Sequence, residues 1–159
     1  MLLLEAIYSD YSECCDDFKN GIEYLKDRSF SQAAKCFKFA FESVSKSHKY
    51  RNTYISYFGI SKLMHGDLTA INFCRRAINS EWKNADVFLN LARAELLCDN
   101  RLNTVRAIEK GFNVDRYHAG LHALSRKIGI RKCNVVPFLP RKNFINKFVG
   151  SRIRKTRSI

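Results

Sequence analysis

Apolar and small residues return at fixed intervals through most of the chain, in a pattern typical of paired helices. The stretch from 21 to 41 contains two amphipathic segments separated by a polar joint near residues 26–29. Counting from Gly21, large apolar residues follow at 3, 9 and 16 positions and alanines at 12 and 19: Tyr24, Phe30, Phe37, Ala33 and Ala40. This spacing predicts two helices joined by a short turn.

The same pattern occurs twice more along the chain. Starting from Gly59, it returns as Leu63, Ala70, Cys74 and Ala77, with the turn one residue shorter. Starting from Ala92, it returns as Leu96, Leu102, Thr104, Ile108 and Gly111. The three copies predict repeats at about residues 14–47, 52–84 and 85–117.

The small residues in the pattern have a physical purpose. A small residue in the first helix and its counterpart 12 positions on allow the two backbones of a pair to approach closely, while the large residues fill the space around that contact. Each pair then has an apolar stripe that it cannot bury alone, so we expect the pairs to stack on one another.

This arrangement resembles the tetratricopeptide repeat, a helix–turn–helix unit of 34 residues. The resemblance covers about residues 14–116 and implies an all-α, right-handed superhelix of stacked antiparallel helix pairs. A further helix is expected before the repeats, at about residues 2–12, and a capping helix after them, at 117–129. The predicted helical domain therefore spans residues 1–130, and a basic C-terminal extension spans 131–159.

The resemblance also implies a function. Tetratricopeptide proteins commonly hold a segment of a partner protein on the concave face, which the first helix of each pair lines. Here that predicts a protein–protein interaction module, an adaptor or chaperone, although the same side chains could instead be core. The candidate groove residues are Phe18, Ile22, Leu25, Ser56, Ile60, Leu63, Leu89, Asn90, Arg93 and Leu96.

The charge of the chain, +13 in total, is concentrated at its C-terminal end. Residues 1–115 are nearly neutral, whereas residues 116–159 contain twelve Lys and Arg and no Asp or Glu. The tail could pack on the helical body, anchor at an anionic membrane surface or bind nucleic acid. A polyanion-binding module is therefore the alternative function, carried by Arg141, Lys142, Lys147, Arg152, Arg154 and Lys155.

Composition places the chain in the cytoplasm as a reduced protein. The N-terminus lacks the positively charged start of a secretory signal, and no apolar run reaches the ~18 residues of a membrane span. The six cysteines, which include the adjacent Cys14 and Cys15, are interpreted as free thiols. Self-association through an incompletely capped end of the superhelix is left open.

The candidate catalytic and ligand-binding residues of the sequence predict a protein that is not an enzyme and that takes no cofactor. The seven glycines are scattered and form no phosphate-binding loop. His118 and His122 are four residues apart on the capping helix, but they lack the glutamate of a metalloprotease helix, and Cys133 adds only a weak third candidate ligand. We therefore interpret the two histidines as a surface pair and expect no metal site.

Overall fold

A computed structural model describes residues 11–79 and 83–129 of the chain. The chain divides into two units, Met1–Ile128 and Gly129–Ile159, and the helices of the described residues belong to the first. Its described part contains no β strand and has seven α helices and one short 3-10 helix, Leu68–Ala70. The α helices are α1 Asp16–Lys26, α2 Phe30–Glu42, α3 Arg51–Met64, α4 Ile71–Asn79, α5 Ala85–Leu97, α6 Arg101–Val114 and α7 Ala119–Lys127.

The helices pack in the order in which they follow one another, and α3 and α5 also contact the helix two places further along the chain. α1 packs on α2, α3 on α4 and α5 on α6, while α3 also contacts α2 and α5, and α4 contacts α5. The last helix, α7, lies against both α5 and α6. The all-α prediction is confirmed. Residues 11 and 12 are not helical, and the rest of the helix expected at 2–12 lies outside the described residues.

The turn inside each pair has the same backbone geometry at the same position of the repeat. Arg28, Gly66 and Asp99 stand seven residues after Gly21, Gly59 and Ala92, and all three adopt a positive φ, of 60°, 107° and 56°. Each turn is closed by two backbone hydrogen bonds of the Schellman type, such as Ser29 N–H to the Tyr24 carbonyl at 2.8 Å. The corresponding bonds in the other pairs run from residue 67 to 62 and from 100 to 95.

Small residues lie where the helices cross, as the pattern predicted. A Cβ atom on Gly21 would stand 2.7 Å from Cε1 of Phe37, and one on Gly59 would stand 2.8 Å from the Cys74 sulfur. Phe37 lies 16 positions after Gly21, and Cys74 lies 15 positions after Gly59. These two neighbours therefore occupy equivalent positions in the second helices of their pairs. Gly111, in the second helix of the third pair, would meet Leu121 of α7 at 2.6 Å.

An aromatic cluster fills the interface between the first two pairs. The Phe18 ring is fully buried and lies 4.8–5.3 Å, between centroids, from the rings of Phe37, Tyr54, Tyr57 and Tyr11. These contacts hold α1, α2 and α3 together, since edge and tilted ring pairs add to the free energy of burial.

Two large residues of the repeat pattern are not in the core. Tyr24 is 42% exposed and Leu102 is 62% exposed, so the expectation that they fill space between helices is wrong. The small positions Ala33, Ala70 and Thr104, by contrast, are completely buried. Small residues at the crossings are constrained by the backbones on both sides, whereas a large side chain on the rim of a pair has solvent available to it.

The capping helix is shorter than predicted by two residues at each end. His118 serves as its N-cap, because the His118 Nδ1 atom accepts a hydrogen bond from the Leu121 backbone N–H at 3.3 Å. Gly129, with φ of 61°, follows its last turn. Its buried residues are Gly120, Leu121 and Leu124, and the helix contacts α5 and α6.

Candidate functional site

The residues predicted to line a concave groove are interior residues. Nine of them are buried and Leu96 is half-buried, so these side chains present little open surface, and their contact with a partner stays a prediction. The α1 members of the set belong to the core cluster that contains Phe37 and Tyr54. The other members are on α3 and α5, which are central helices: α5 is buried at every position from Ala85 to Glu95. The set comprises Phe18, Ile22, Leu25, Ser56, Ile60, Leu63, Leu89, Asn90, Arg93 and Leu96.

Polar groups among these helices form a buried network centred on Asp86. The Tyr11 hydroxyl donates to Asp86 Oδ2 at 2.5 Å, and His118 Nε2 lies 3.1 Å from Asp86 Oδ1. The Tyr57 hydroxyl is 3.5 Å from that of Tyr11. The network therefore connects the segment before α1 with α3, the first turn of α5 and the start of α7. The sequence alone does not single out Asp86, because a carboxylate in the first turn of a helix is ordinarily solvated.

The tyrosines of this network are held in their neutral form. Burial is the largest cause that raises the pKa of Tyr11, and the adjacent Tyr57 and Asp86 raise it further. Burial and the Asp86 charge likewise raise the pKa of Tyr57. Both hydroxyls therefore remain hydrogen-bond donors at neutral pH.

The geometry assigns His118 a structural role. Its Nδ1 accepts the Leu121 N–H, so the ring proton is on Nε2 and is directed at Asp86. A general base needs a free ring nitrogen facing a substrate, and here both nitrogens are engaged within the fold.

The predicted surface pair of histidines is wrong for one member. His118 is 5% exposed, whereas His122 is exposed, lies 4.7 Å from the Phe112 ring centroid and has Nε2 2.8 Å from the Arg116 carbonyl oxygen. Among the described residues no group of three His, Cys, Asp or Glu side chains could hold a metal ion. Cys133, the third candidate ligand, lies outside them.

The five described cysteines are free thiols. Cys74 is fully buried against Gly59, and burial raises the pKa of its thiol to about 12. Cys14, of the adjacent pair, is also buried, and burial raises its pKa as well. A thiol with a raised pKa has little thiolate at neutral pH, so we expect both thiols to be poor nucleophiles.

An open groove runs between α2 and α4, with α3 as its floor. It encloses a volume of about 680 Å³, which falls within the range of small-molecule binding sites. Its apolar surface consists of Ala34 and three consecutive aromatic rings. The Phe41 and Phe58 centroids are 5.3 Å apart, and those of Phe58 and Phe73 are 4.8 Å apart.

The rim of this groove is predominantly basic. Two of its four cations have acidic neighbours, since Lys38 Nζ lies 3.8 Å from Glu42 and Lys62 Nζ lies 3.0 Å from Asp67. The other two, Lys35 and Arg76, are exposed and pair with no carboxylate in the part of the chain that the structure describes. The Arg76 guanidinium instead lies 5.3 Å from the Phe73 ring centroid. Ser31 and His65 complete the lining.

Sequence reasoning missed this groove. Lys35 and Arg76 are on the second helices of two different repeats, at positions where a charged residue is ordinarily just a solvated one. One feature of the sequence could have indicated the groove. Phe41, Phe58 and Phe73 are large apolar residues that do not occupy the regularly spaced positions of the repeat, so the pattern does not explain them.

The six predicted tail residues, Arg141, Lys142, Lys147, Arg152, Arg154 and Lys155, lie outside the described residues, as does the whole extension 131–159. Their role in binding a polyanion stays a prediction.

Comparison with protein-family models finds no match, and no curated protein matches the sequence. In the described ranges, no helix combines the length and apolar character that crossing a membrane requires.

Proposed function

We propose that this protein is a protein–protein interaction module, an adaptor or chaperone of the tetratricopeptide type, that binds a segment of a partner protein in the groove between α2 and α4. The tetratricopeptide assignment is supported by the order in which the helices pack and by the three Schellman turns at one position of the repeat. Stacked pairs of this kind build a right-handed superhelix.

The observation that carries the proposed site is the aromatic floor. Phe41 and Phe73 are only half-buried, and together with the buried Phe58 they give the open groove a mostly apolar lining. A concave, mostly apolar lining with a few charged groups at its edge is typical of a binding site.

Site-specific photo-crosslinking in the cells that make the protein tests the proposal. A benzophenone amino acid replaces Ser31, an uncharged residue of the groove lining, and in the matched control it replaces Asn113, an exposed residue of α6. We expect the Ser31 probe alone to form an adduct that maps to one short segment of a partner protein. Equal adducts from both positions, or none from Ser31, would rule out the groove as the binding surface.

The alternative, a polyanion-binding module, is favoured by the charge of residues 116–159, twelve basic residues with no acidic one. We expect truncation at Arg131 to abolish binding to RNA, DNA or acidic vesicles measured at two salt concentrations. Binding that survives the truncation would show that the tail is not responsible.

A further inference from the structure

The charges around the groove limit which partner segments can occupy it. We propose that the groove binds an acidic peptide segment, with Asp or Glu side chains flanking aromatic or branched aliphatic anchors. This inference rests on the proposed function and specifies the chemistry of the partner.

The rim of the groove carries more positive than negative charge. The two acidic residues of the groove lie next to Lys38 and Lys62. The positive charges of Lys35 and Arg76 therefore have no carboxylate of the groove beside them. A basic partner would meet these two like charges, whereas an acidic one would gain ion pairs at the edge of an apolar strip, where water is partly displaced.

The floor and the rim of the groove would contact different parts of a bound peptide. The rings of Phe41, Phe58 and Phe73 offer faces and edges to apolar anchors. The Arg76 guanidinium beside the Phe73 ring is held over that floor, so a carboxylate next to an anchor can reach the guanidinium while the anchor contacts the ring. The anchors supply affinity, and the cations supply the preference for acidic sequences.

Selection from a phage-displayed library of random peptides tests this inference on the full-length protein. Three variants accompany the wild type. Ser31→Trp fills the groove without changing its charge, the pair Lys35→Glu and Arg76→Glu reverses the rim, and the pair Arg106→Glu and Lys110→Glu makes the same charge change on the exposed face of α6. All substituted positions are on the surface or only half-buried, and circular dichroism verifies that each variant is folded.

We expect the wild type to enrich peptides that combine Asp or Glu with Phe, Trp, Leu or Ile. Their affinity should fall by about tenfold or more on reversal of the rim, be lost with Ser31→Trp and be retained by the α6 pair. Higher salt should weaken binding to the wild type, because the rim pairs are partly exposed to solvent.

Three results would overturn the inference, and they separate it from the proposed function. Peptides that require an open groove but are apolar or basic, and are indifferent to rim reversal, would disprove the acidic preference and leave the groove function intact. Enrichment that is absent or indifferent to Ser31→Trp would disprove both. Rim-dependent binding of vesicles containing about a third phosphatidylserine, or rim-dependent dimerisation in sedimentation, without peptide enrichment would assign the groove to a membrane or to a second copy.

Discussion

Asp86 and His118 are 32 residues apart in the chain, yet His118 Nε2 lies 3.1 Å from Asp86 Oδ1, with both side chains almost wholly buried. The contact fixes the start of the capping helix to the first turn of α5. Because His118 also caps its own helix, a single imidazole connects the local start of α7 to the packing of the third pair. The Tyr11 hydroxyl, on the other carboxylate oxygen, extends the link to the N-terminal side of α1.

Removal of Asp86 should therefore weaken the whole domain. We expect Asp86→Ala to cost about 2–6 kcal/mol of unfolding free energy, since it leaves two buried donors, the Tyr11 hydroxyl and the His118 Nε2–H, without their acceptor at about 1–3 kcal/mol each. Tyr11→Phe should cost about 1.5–3 kcal/mol, the value of a hydrogen bond to a charged group. The measurement is urea denaturation of both single variants and the double variant. On the Asp86→Ala background Tyr11→Phe should cost almost nothing, and strictly additive losses would contradict a direct coupling.

The glycine at the first helix crossing should not tolerate even a methyl group. In an exposed helix, Gly→Ala gains about 1 kcal/mol. At Gly21 the new Cβ would stand 2.7 Å from a Phe37 ring that is fully buried among Phe18 and Tyr57 and has no space to move into. We expect Gly21→Ala to be destabilising by about 1–3 kcal/mol in thermal or urea denaturation.

The matched control for Gly21→Ala replaces the Phe37 ring with the smaller side chain of leucine. Phe37→Leu should be destabilising in the wild type but should recover part of the loss in the Gly21→Ala background, because it removes the atoms with which the new Cβ collides. If Gly21→Ala proves neutral or stabilising, the close crossing of α1 and α2 is not a constraint on the sequence.

The crossings were predictable from sequence, but the candidate site was not. Gly21, Gly59 and Gly111 could be placed at helix contacts because a small residue that recurs at a regular interval in paired helices marks a close approach of backbones. Burial on the remaining faces of α3 and α5 depends on contacts between residues far apart in the chain. Asp86, for example, has an ordinary local sequence and is buried by Tyr11 and His118. The groove likewise depends on Phe41, Phe58 and Phe73 meeting across two repeats.

The residue with positive φ in each Schellman turn can be tested in two directions, by introducing a glycine at Arg28 and by removing the glycine at Gly66. Arg28 adopts φ of 60° without being glycine, which carries a steric cost that Arg28→Gly would relieve. We expect Arg28→Gly to raise the unfolding free energy by about 0.5–1 kcal/mol. Gly66→Ala should lower it by about 1 kcal/mol, and through backbone conformation alone, because no atom lies within 4 Å of the added Cβ.

Both changes are measured as shifts of the urea midpoint at constant m-value. Opposite signs at Arg28 and Gly66 are the expected result. A loss of stability in both variants would show that the two turns are not equivalent, and it would weaken the case that the pairs are copies of one unit.

The carboxylate of Asp67 gives the second turn a dependence on pH. Its Oδ1 accepts a hydrogen bond from the Thr69 hydroxyl at 2.6 Å and from the Thr69 N–H at 3.1 Å, and its Oδ2 lies 3.0 Å from Lys62. The Thr69 hydroxyl and then Lys62 lower the pKa of Asp67 from its ordinary value of 3.8. The ionised form is thus favoured in the folded state, so its contribution to stability is complete above 3.8 and is lost as the pH falls through the lower, folded-state pKa.

We therefore expect Asp67→Asn to be destabilising at neutral pH, with a difference from the wild type that shrinks once the pH falls below 3.8. Urea denaturation across this range measures the difference, and the carbon chemical shift of the Asp67 carboxyl group measures the pKa directly. Thr69→Ala should move that pKa back toward its ordinary value, because it removes the strongest hydrogen bond to the ionised form. A difference that is constant with pH, or a titration unaffected by Thr69→Ala, would mean that the Thr69 hydroxyl does not hold this turn through the charge of Asp67.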